Sequence, residues 1–278
     1  DTEYLSLSEA LIQEYEGDPF VHTTIAPHAP YTVNDAALKR CAEISDKYGV
    51  PIHMHVNETA VEVSDSLRDH HERPIDRLER LGLLNERLIA VHSVHASDED
   101  ITKMATAHAS VCHCPCSNLK LASGFAPIAK FLKAGINLGI GTDGAASNDK
   151  LDMLGETRLA AMLAKAVAQD PTAAPVFAML EAATLGGARA LRWDADIGSL
   201  EIGKAADLFA IDLGTPESLP VADPAAQILY SAGRECITHT WVDGRLIMEK
   251  HARAAYPQTD ALAAAALCAQ KWQSRLKN

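Results

Sequence analysis

Residues 50–58 read VPIHMHVNE. The run 50–56 is short, apolar and β-prone, and it passes directly into the polar pair Asn57-Glu58. Gly49 and Pro51 sit at its entrance, a pairing that stops a helix and cannot prolong one. Upstream, 33–48 repeats apolar residues at helical spacing. Leu38, Cys41, Ile44 and Ser45 share one face, and Asn34 or Thr32 stands where a cap belongs. A helix that ends abruptly and feeds a buried strand is half of a strand–helix–strand unit.

The same grammar recurs along the chain. β-like runs occupy 20–26, 88–92, 110–114 and 136–141. Helical patterns occupy 74–84, 127–133, 149–168 and 176–185, and Ser97 caps a further one carrying Ile101, Met104 and Ala105. Five strand–helix units in series predict a parallel sheet with right-handed crossovers, either doubly wound or part of a (β/α)₈ barrel. After residue 195 the texture changes. Residues 197–213 read as short strands separated by Gly198, Gly203 and the turn at 204–207. Residues 237–249 read as a hairpin, with Asp243-Gly244 as its turn. The predicted organisation is an α/β part over 1–195, a small β domain over 196–255 and an Ala-rich terminal helix within 256–278.

Composition narrows the function. With 278 residues, 47% hydrophobic and 22% charged, the chain is a folding one. A net charge of −12 disfavours a nucleic-acid groove or an anionic membrane surface as partner. No apolar run approaches the roughly 20 residues of a membrane span, and no signal peptide opens the chain. Six cysteines include Cys112, Cys114 and Cys116, which alternate along what reads as one strand face. Their spacing suits no pairing among themselves, and a reducing cytoplasm is the expected setting. The chain opens at Asp1 rather than Met, which is read as a processed or trimmed end.

Twelve histidines are unevenly placed, several of them where a strand meets its following loop. That is the catalytic rim of a parallel barrel. His28 lies between two prolines in 27–31 (PHAPY). His53 and His55 share a strand face, so one is a candidate metal ligand. Glu58 follows three residues later, where a carboxyl group could pass a proton between an activated water and a substrate. His92 closes its strand, and His95 lies in the loop beyond. The run 112–118 (CHCPCSN) invites a thiolate zinc reading. Structural zinc uses spaced pairs from two knuckles, however, and small buried cysteines are the better reading. In 139–148 (GIGTDGAASN), Asp143 ends a strand among small residues that permit close approach. Asp-Gly alone is an ordinary turn. Taken together, His28, His55, His92 and Asp143 at successive strand ends predict a hydrolytic metal site.

At these residues the sequence resembles the amidohydrolase superfamily, specifically the 5′-methylthioadenosine/S-adenosylhomocysteine deaminases. The strings that carry the resemblance are 27–31 (PHAPY), His55 with Glu58-Thr59, 73–84 (RPIDRLERLGLL), 88–92 (LIAVH), 117–124 (SNLKLASG), 141–148 (GTDGAASN) and 197–212 (IGSLEIGKAADLFAID). The resemblance implies a distorted (β/α)₈ barrel, of which strands four to eight are present here, with a small β-sandwich. It implies hydrolytic deamination of an adenine nucleoside with one divalent metal, expected to be zinc. His55 and Asp143 then look like metal ligands, and Asp143 also like the proton acceptor for the attacking water. Glu58 looks like the acid/base that contacts the purine, His28 like a substrate-binding histidine, and His92 like the group that orients the water. The family's first strand supplies two more ligands as His-x-His, and no segment here matches it, because His53-x-His55 matches the later motif. A further N-terminal segment, or assembly with another copy, is therefore expected to complete the site. Cys116 stands where the family commonly carries Glu. The alternatives are a guanine-type deaminase or triazine hydrolase on the same scaffold, a non-catalytic binding subunit or fragment, and a zinc-storing or redox role for the three cysteines.

Overall fold

The computed structural model describes residues 2–216, 218–249 and 252–253, and residues 263, 266–268 and 270–271 of the terminal segment. The chain divides into two compact units, Asp1–Ser199 and Leu200–Asn278.

The first unit is built on a parallel sheet in sequence order: β1 (Ile52–Val56), β2 (Leu88–His92), β3 (Ser110–His113) and β4 (Asn137–Ile140). The strand expected at 20–26 is reduced to a single parallel bridge between Ile25 and Ile52. Ile25 donates to Pro51 O at 2.9 Å, and His53 donates back to Ile25 O at 2.9 Å. Pro27, with no N–H, then stops the ladder. The segment still runs beside β1, since the His55 N–H reaches His28 O at 3.1 Å.

Helices cover the sheet: α1 (Thr2–Glu14), α2 (Asp35–Tyr48), α3 (Ala60–His70), α4 (Pro74–Arg80), α5 (Asp98–Thr106), α6 (Pro115–Lys120), α7 (Ile128–Lys133), α8 (Met153–Ala168), α9 (Val176–Ala182) and α10 (Leu185–Ala190). α2 begins where Asn34 Oδ1 accepts the Ala37 N–H, and it ends on left-handed Gly49. Its residues Leu38, Cys41 and Ile44 are buried, as the spacing predicts. Ser97 and Asp100 form a capping box at the start of α5. α10 lies against β4, and a Cβ on Gly186 would fall 2.1 Å from Leu138 O, so that contact requires glycine.

The pattern reading misplaces the cysteine run. β3 stops at His113, and Pro115 opens α6 at a position where its missing N–H costs nothing. Cys116 is therefore helical and does not share a strand face with Cys112.

The second unit holds one antiparallel sheet among the described residues, ordered β5 (Leu208–Ile211), β6 (Ile237–Val242), β7 (Arg245–Glu249) and β8 (Ala252–Arg253), with helix α11 (Pro224–Tyr230). Asp243 (φ 49°) and Gly244 (φ 71°) are both left-handed, as a tight two-residue hairpin turn demands. Of the short strands expected within 197–213, only β5 forms. Most of the terminal helix expected within 256–278 lies outside the described residues; those that are described there are helical. No helix among the described residues is long and apolar enough to cross a membrane.

The loop that carries His28 is anchored by Arg77 of α4, which is 3% exposed. Its guanidinium donates to Pro30 O (2.5 Å), Val33 O (3.1 Å) and Asp35 Oδ1 (2.8 Å). Burial alone would raise the Asp35 pKa, but hydrogen bonds from Arg77 and Arg80 outweigh it and hold the carboxyl below its usual range. Arg77→Met should lower the unfolding free energy in urea by about 2–4 kcal/mol, because buried acceptors lose their donors. A loss under about 0.5 kcal/mol, the scatter of ordinary surface changes, would remove Arg77 from this role. Because the folded-state pKa of Asp35 is depressed, its contribution is present above the unfolded-state value of about 4 and fades as the pH falls through the folded one. The stability gap between wild type and Asp35→Asn should therefore narrow between pH 7 and pH 3.

Candidate functional site

The strand ends are where the backbone departs from regular geometry. Asn57 (φ 53°), His92 (φ 70°), Ser93 (φ 47°) and Asp143 (φ 60°) are all left-handed and none is glycine. Each such residue costs about 1–3 kcal/mol and persists only where its surroundings over-determine it. The effect is visible at His92. Strand register pairs it with Val56, so alternation would put it on the face opposite His55. Instead the two rings stack, 5.3 Å apart and 17° from parallel. The His28 ring lies 5.0 Å from that of His55.

His55 Nδ1 is 2.6 Å from His28 O. A carbonyl only accepts, so Nδ1 carries the hydrogen and Nε2 keeps its lone pair. That is the orientation a metal-ligating histidine needs. Its strand partner His53 is half-buried, and burial first, with His55 second, pushes its pKa down.

His92, 1% exposed, sets Nδ1 2.8 Å from Asn118 Oδ1 and Nε2 3.9 Å from Glu58 Oε2. Burial lowers its pKa, against the opposing pull of Glu58 and Asn118, so the neutral ring is favoured. Glu58 Oε1 accepts from Ser123 Oγ at 3.1 Å. The backbone N–H groups of Asn57 and Glu58 donate to the buried Glu62 carboxyl at 2.9 and 2.7 Å.

Asp143 accepts three hydrogen bonds from protein donors. Oδ2 accepts from Ser117 Oγ (2.6 Å) and Ser147 Oγ (2.7 Å), and Oδ1 accepts from the Gly144 N–H (2.7 Å). Burial would raise its pKa, but these donors and His92 prevail and keep it below the usual range. It is a carboxylate at neutral pH. The loop behind it is tied down by Asn148 Nδ2, which donates to Thr142 O (2.9 Å) and Glu156 Oε1 (2.6 Å).

The structure thus gathers His28, His55, Glu58 and His92, and sets Asp143 within electrostatic reach of His92. Among the described residues, no group of three or more His, Cys, Asp or Glu side chains is disposed to hold a metal. The donor chemistry nonetheless suits zinc: an imidazole with a free Nε2 and an ionised carboxylate are two of its usual ligands. Among the described residues, buried Asn57 Oδ1, Ser93 Oγ, Asn118 Nδ2 and both ring nitrogens of His113 have no hydrogen-bond partner.

Sequence reading missed the supporting shell. Glu62 was detectable, since Thr59-x-x-Glu62 has the capping-box spacing. Ser117, Ser123 and Ser147 lie inside strings already singled out, but their partners become evident only in three dimensions. Asp100 was detectable as Glu62 was, since Ser97-x-x-Asp100 has the same spacing, but its pairing with Arg73 (Nη2 to Oδ2, 2.6 Å) was not, and Glu156, eight residues from Asn148, left no local signal.

Comparison with known proteins agrees with this architecture. The sequence profile described as the amidohydrolase family matches residues 2–247. The 5-methylthioadenosine/S-adenosylhomocysteine deaminase of Syntrophobacter fumaroxidans is 41% identical over 245 residues, covering 88% of this chain and 56% of that protein. Its counterpart from Moorella thermoacetica is 42% identical over 243 residues, 87% of this chain and 57% of that protein. The chain therefore spans little more than half the length of these relatives. An adenosine deaminase from Xanthomonas campestris, solved with bound zinc, superposes with a TM-score of 0.95 at 46% identity, covering 100% of this chain and 62% of that one. An atrazine chlorohydrolase from Arthrobacter aurescens, complexed with zinc and atraton, gives 0.89 at 27% identity, covering 96% and 59%. By profile, relatives and fold alike, the chain belongs to the amidohydrolase family.

Proposed function

We propose that these residues serve a zinc-dependent hydrolytic deaminase acting on the adenine ring of a nucleoside, in a cytoplasmic setting. The observation that carries the reading is the His55–His92–Glu58 cluster, which places two imidazoles and one carboxyl group at adjacent strand ends. Relatives named for methylthioadenosine and S-adenosylhomocysteine, and a structural neighbour named for adenosine, support an adenine nucleoside over a triazine, for which identity falls to 27%. The free cysteines agree with a reducing compartment.

In this reading His55 Nε2 and Asp143 hold the metal, and the remaining ligands come from outside the described residues. A bound zinc supplies Lewis acidity, lowering the pKa of water from 15.7 towards about 7 so that a nucleophile exists at neutral pH. Asp143 takes the proton that the attacking water loses. Glu58, at the mouth of the cluster, delivers a proton to the ring nitrogen as charge builds there, and then helps protonate the departing ammonia. His92, held by Asn118, keeps a lone pair on Nε2 and orients the water without competing as an acid. His28 binds the substrate, and the PHAPY prolines and Arg77 limit its freedom.

Glu58→Gln should leave zinc content unchanged while lowering turnover by about 10²–10⁴-fold, the range of a general acid/base. Near-normal turnover would remove Glu58 from the mechanism. Asp143→Asn should lose both zinc and activity, read by elemental analysis of desalted protein beside an ammonia-release assay. The substrate panel is adenosine, 5′-methylthioadenosine, S-adenosylhomocysteine and guanine. Ammonia from the adenine nucleosides alone is the expected result. Ammonia from guanine alone would replace this reading with the guanine-type one.

A further inference from the structure

The cysteine run 112–116 takes no part in that chemistry, yet two of its thiols are brought together. Cys112 lies on β3 and Cys114 at the cap of α6, and both sulfurs face one glycine of the next strand end. A Cβ placed on Gly141 would be 2.9 Å from Cys112 Sγ and 3.3 Å from Cys114 Sγ. Cys116 is diverted: its thiol interacts with Glu156 and is pushed up to about 12, chiefly by burial. All six cysteines are free; Cys112 is partly exposed, Cys114 is buried, and Cys41 and Cys236 are buried singly.

What could occupy a pair of thiols on one glycine follows from coordination number. Zinc needs four ligands, and the described residues bring no third His, Cys, Asp or Glu into a metal-holding group. Hard cations prefer oxygen. A trivalent arsenical is soft and three-coordinate, and it brings its third substituent with it, so two protein sulfurs complete it. Holding both thiols in place makes the second As–S bond intramolecular, which raises retention by the effective concentration of the second thiol.

We propose that Cys112 and Cys114 form a dithiol site for trivalent arsenicals, two residues from Asp143 along the Gly141 strand end. With an organoarsenic oxide, two As–S bonds form and the As–O linkage breaks. The oxygen leaves as water with the two thiol protons, and arsenic stays trivalent throughout. The test needs no catalytic activity, so its outcome is separate from that of the deaminase reading.

The full chain would be treated with one equivalent of phenylarsine oxide and analysed by intact mass and by alkylation mapping. The expected result is one phenylarsenic adduct per chain that survives excess 2-mercaptoethanol and is removed by 2,3-dimercaptopropanol. Alkylation should be blocked at Cys112 and Cys114 and retained at the exposed Cys268. Cys112→Ser and Cys114→Ser should each weaken retention by about 10²-fold or more, while Cys116→Ser leaves it unchanged. Mapping on the wild-type chain keeps the test decisive if a serine variant fails to fold. Absence of an adduct, an adduct displaced by monothiol, or protection mapped to any other pair would overturn the proposal.

Discussion

Three buried carboxylates, Glu62, Asp100 and Glu156, make the strand-end rim possible. Each is at most 5% exposed, and each accepts backbone N–H or side-chain amide donors at the point where a strand turns into its loop. Glu62 takes the N–H groups that follow β1. Asp100 takes the Ser97 N–H, the Asn57 amide and the Arg73 guanidinium. Glu156 takes the Asn148 amide and the Cys116 N–H. A buried carboxylate is costly unless hydrogen-bonded, so these brackets tolerate little rearrangement. They act directly on left-handed Asn57, which donates to Glu62 and Asp100, and on the loop of left-handed Asp143, where Asn148 joins Glu156 to Thr142 O.

The brackets also link loops to one another. Arg73 reaches both Asp100 and His95 O, the His95 N–H reaches Asn57 O, and His95 Nε2 lies 2.7 Å from Ser123 O. Ser123 in turn donates to Glu58. The position of the Glu58 carboxyl thus depends on three loops at once, and disturbance at Asp100 would be transmitted to it through packed, hydrogen-bonded groups. On the opposite side, the apolar face of β1 (Ile52, Met54, Val56) and the buried stretch of β2 before His92 carry none of this strain.

That division explains what the sequence disclosed. Periodicity marked the helix-facing residues, and caps such as Asn34 and Ser97 marked where helices begin, because those signals are local. The polar residues at strand ends pointed to the rim, and short strings around His28, His55, Glu58, His92 and Asp143 carried the family resemblance. Alternation failed where backbone geometry breaks it. It placed Cys116 on a strand that had already ended at His113, and it could not foresee that left-handed φ would turn His92 towards His55. Glu156, and the pairing of Asp100 with Asn57 and Arg73, were invisible because those partners lie in other loops, and only folding brings them together.

The donors around Asp143 allow one further step. Its two oxygens are unlike: Oδ1 accepts from a backbone N–H, while Oδ2 accepts from two serine hydroxyls. A peptide N–H can only donate, so a proton on Oδ1 would face a fixed donor and leave both poorly satisfied. A hydroxyl can rotate and accept instead. In the proposed reaction, therefore, Oδ2 is the oxygen that can carry a proton at little cost, with Ser117 or Ser147 reversing its hydrogen bond, while Oδ1 stays unprotonated as the carbonyl oxygen of the acid. The same group can in this way offer a lone-pair oxygen to a cation and still accept a proton on the other oxygen. That dual role requires hydroxyls on one side and a backbone amide on the other, the arrangement that the GTDGAASN and SNLKLASG loops provide.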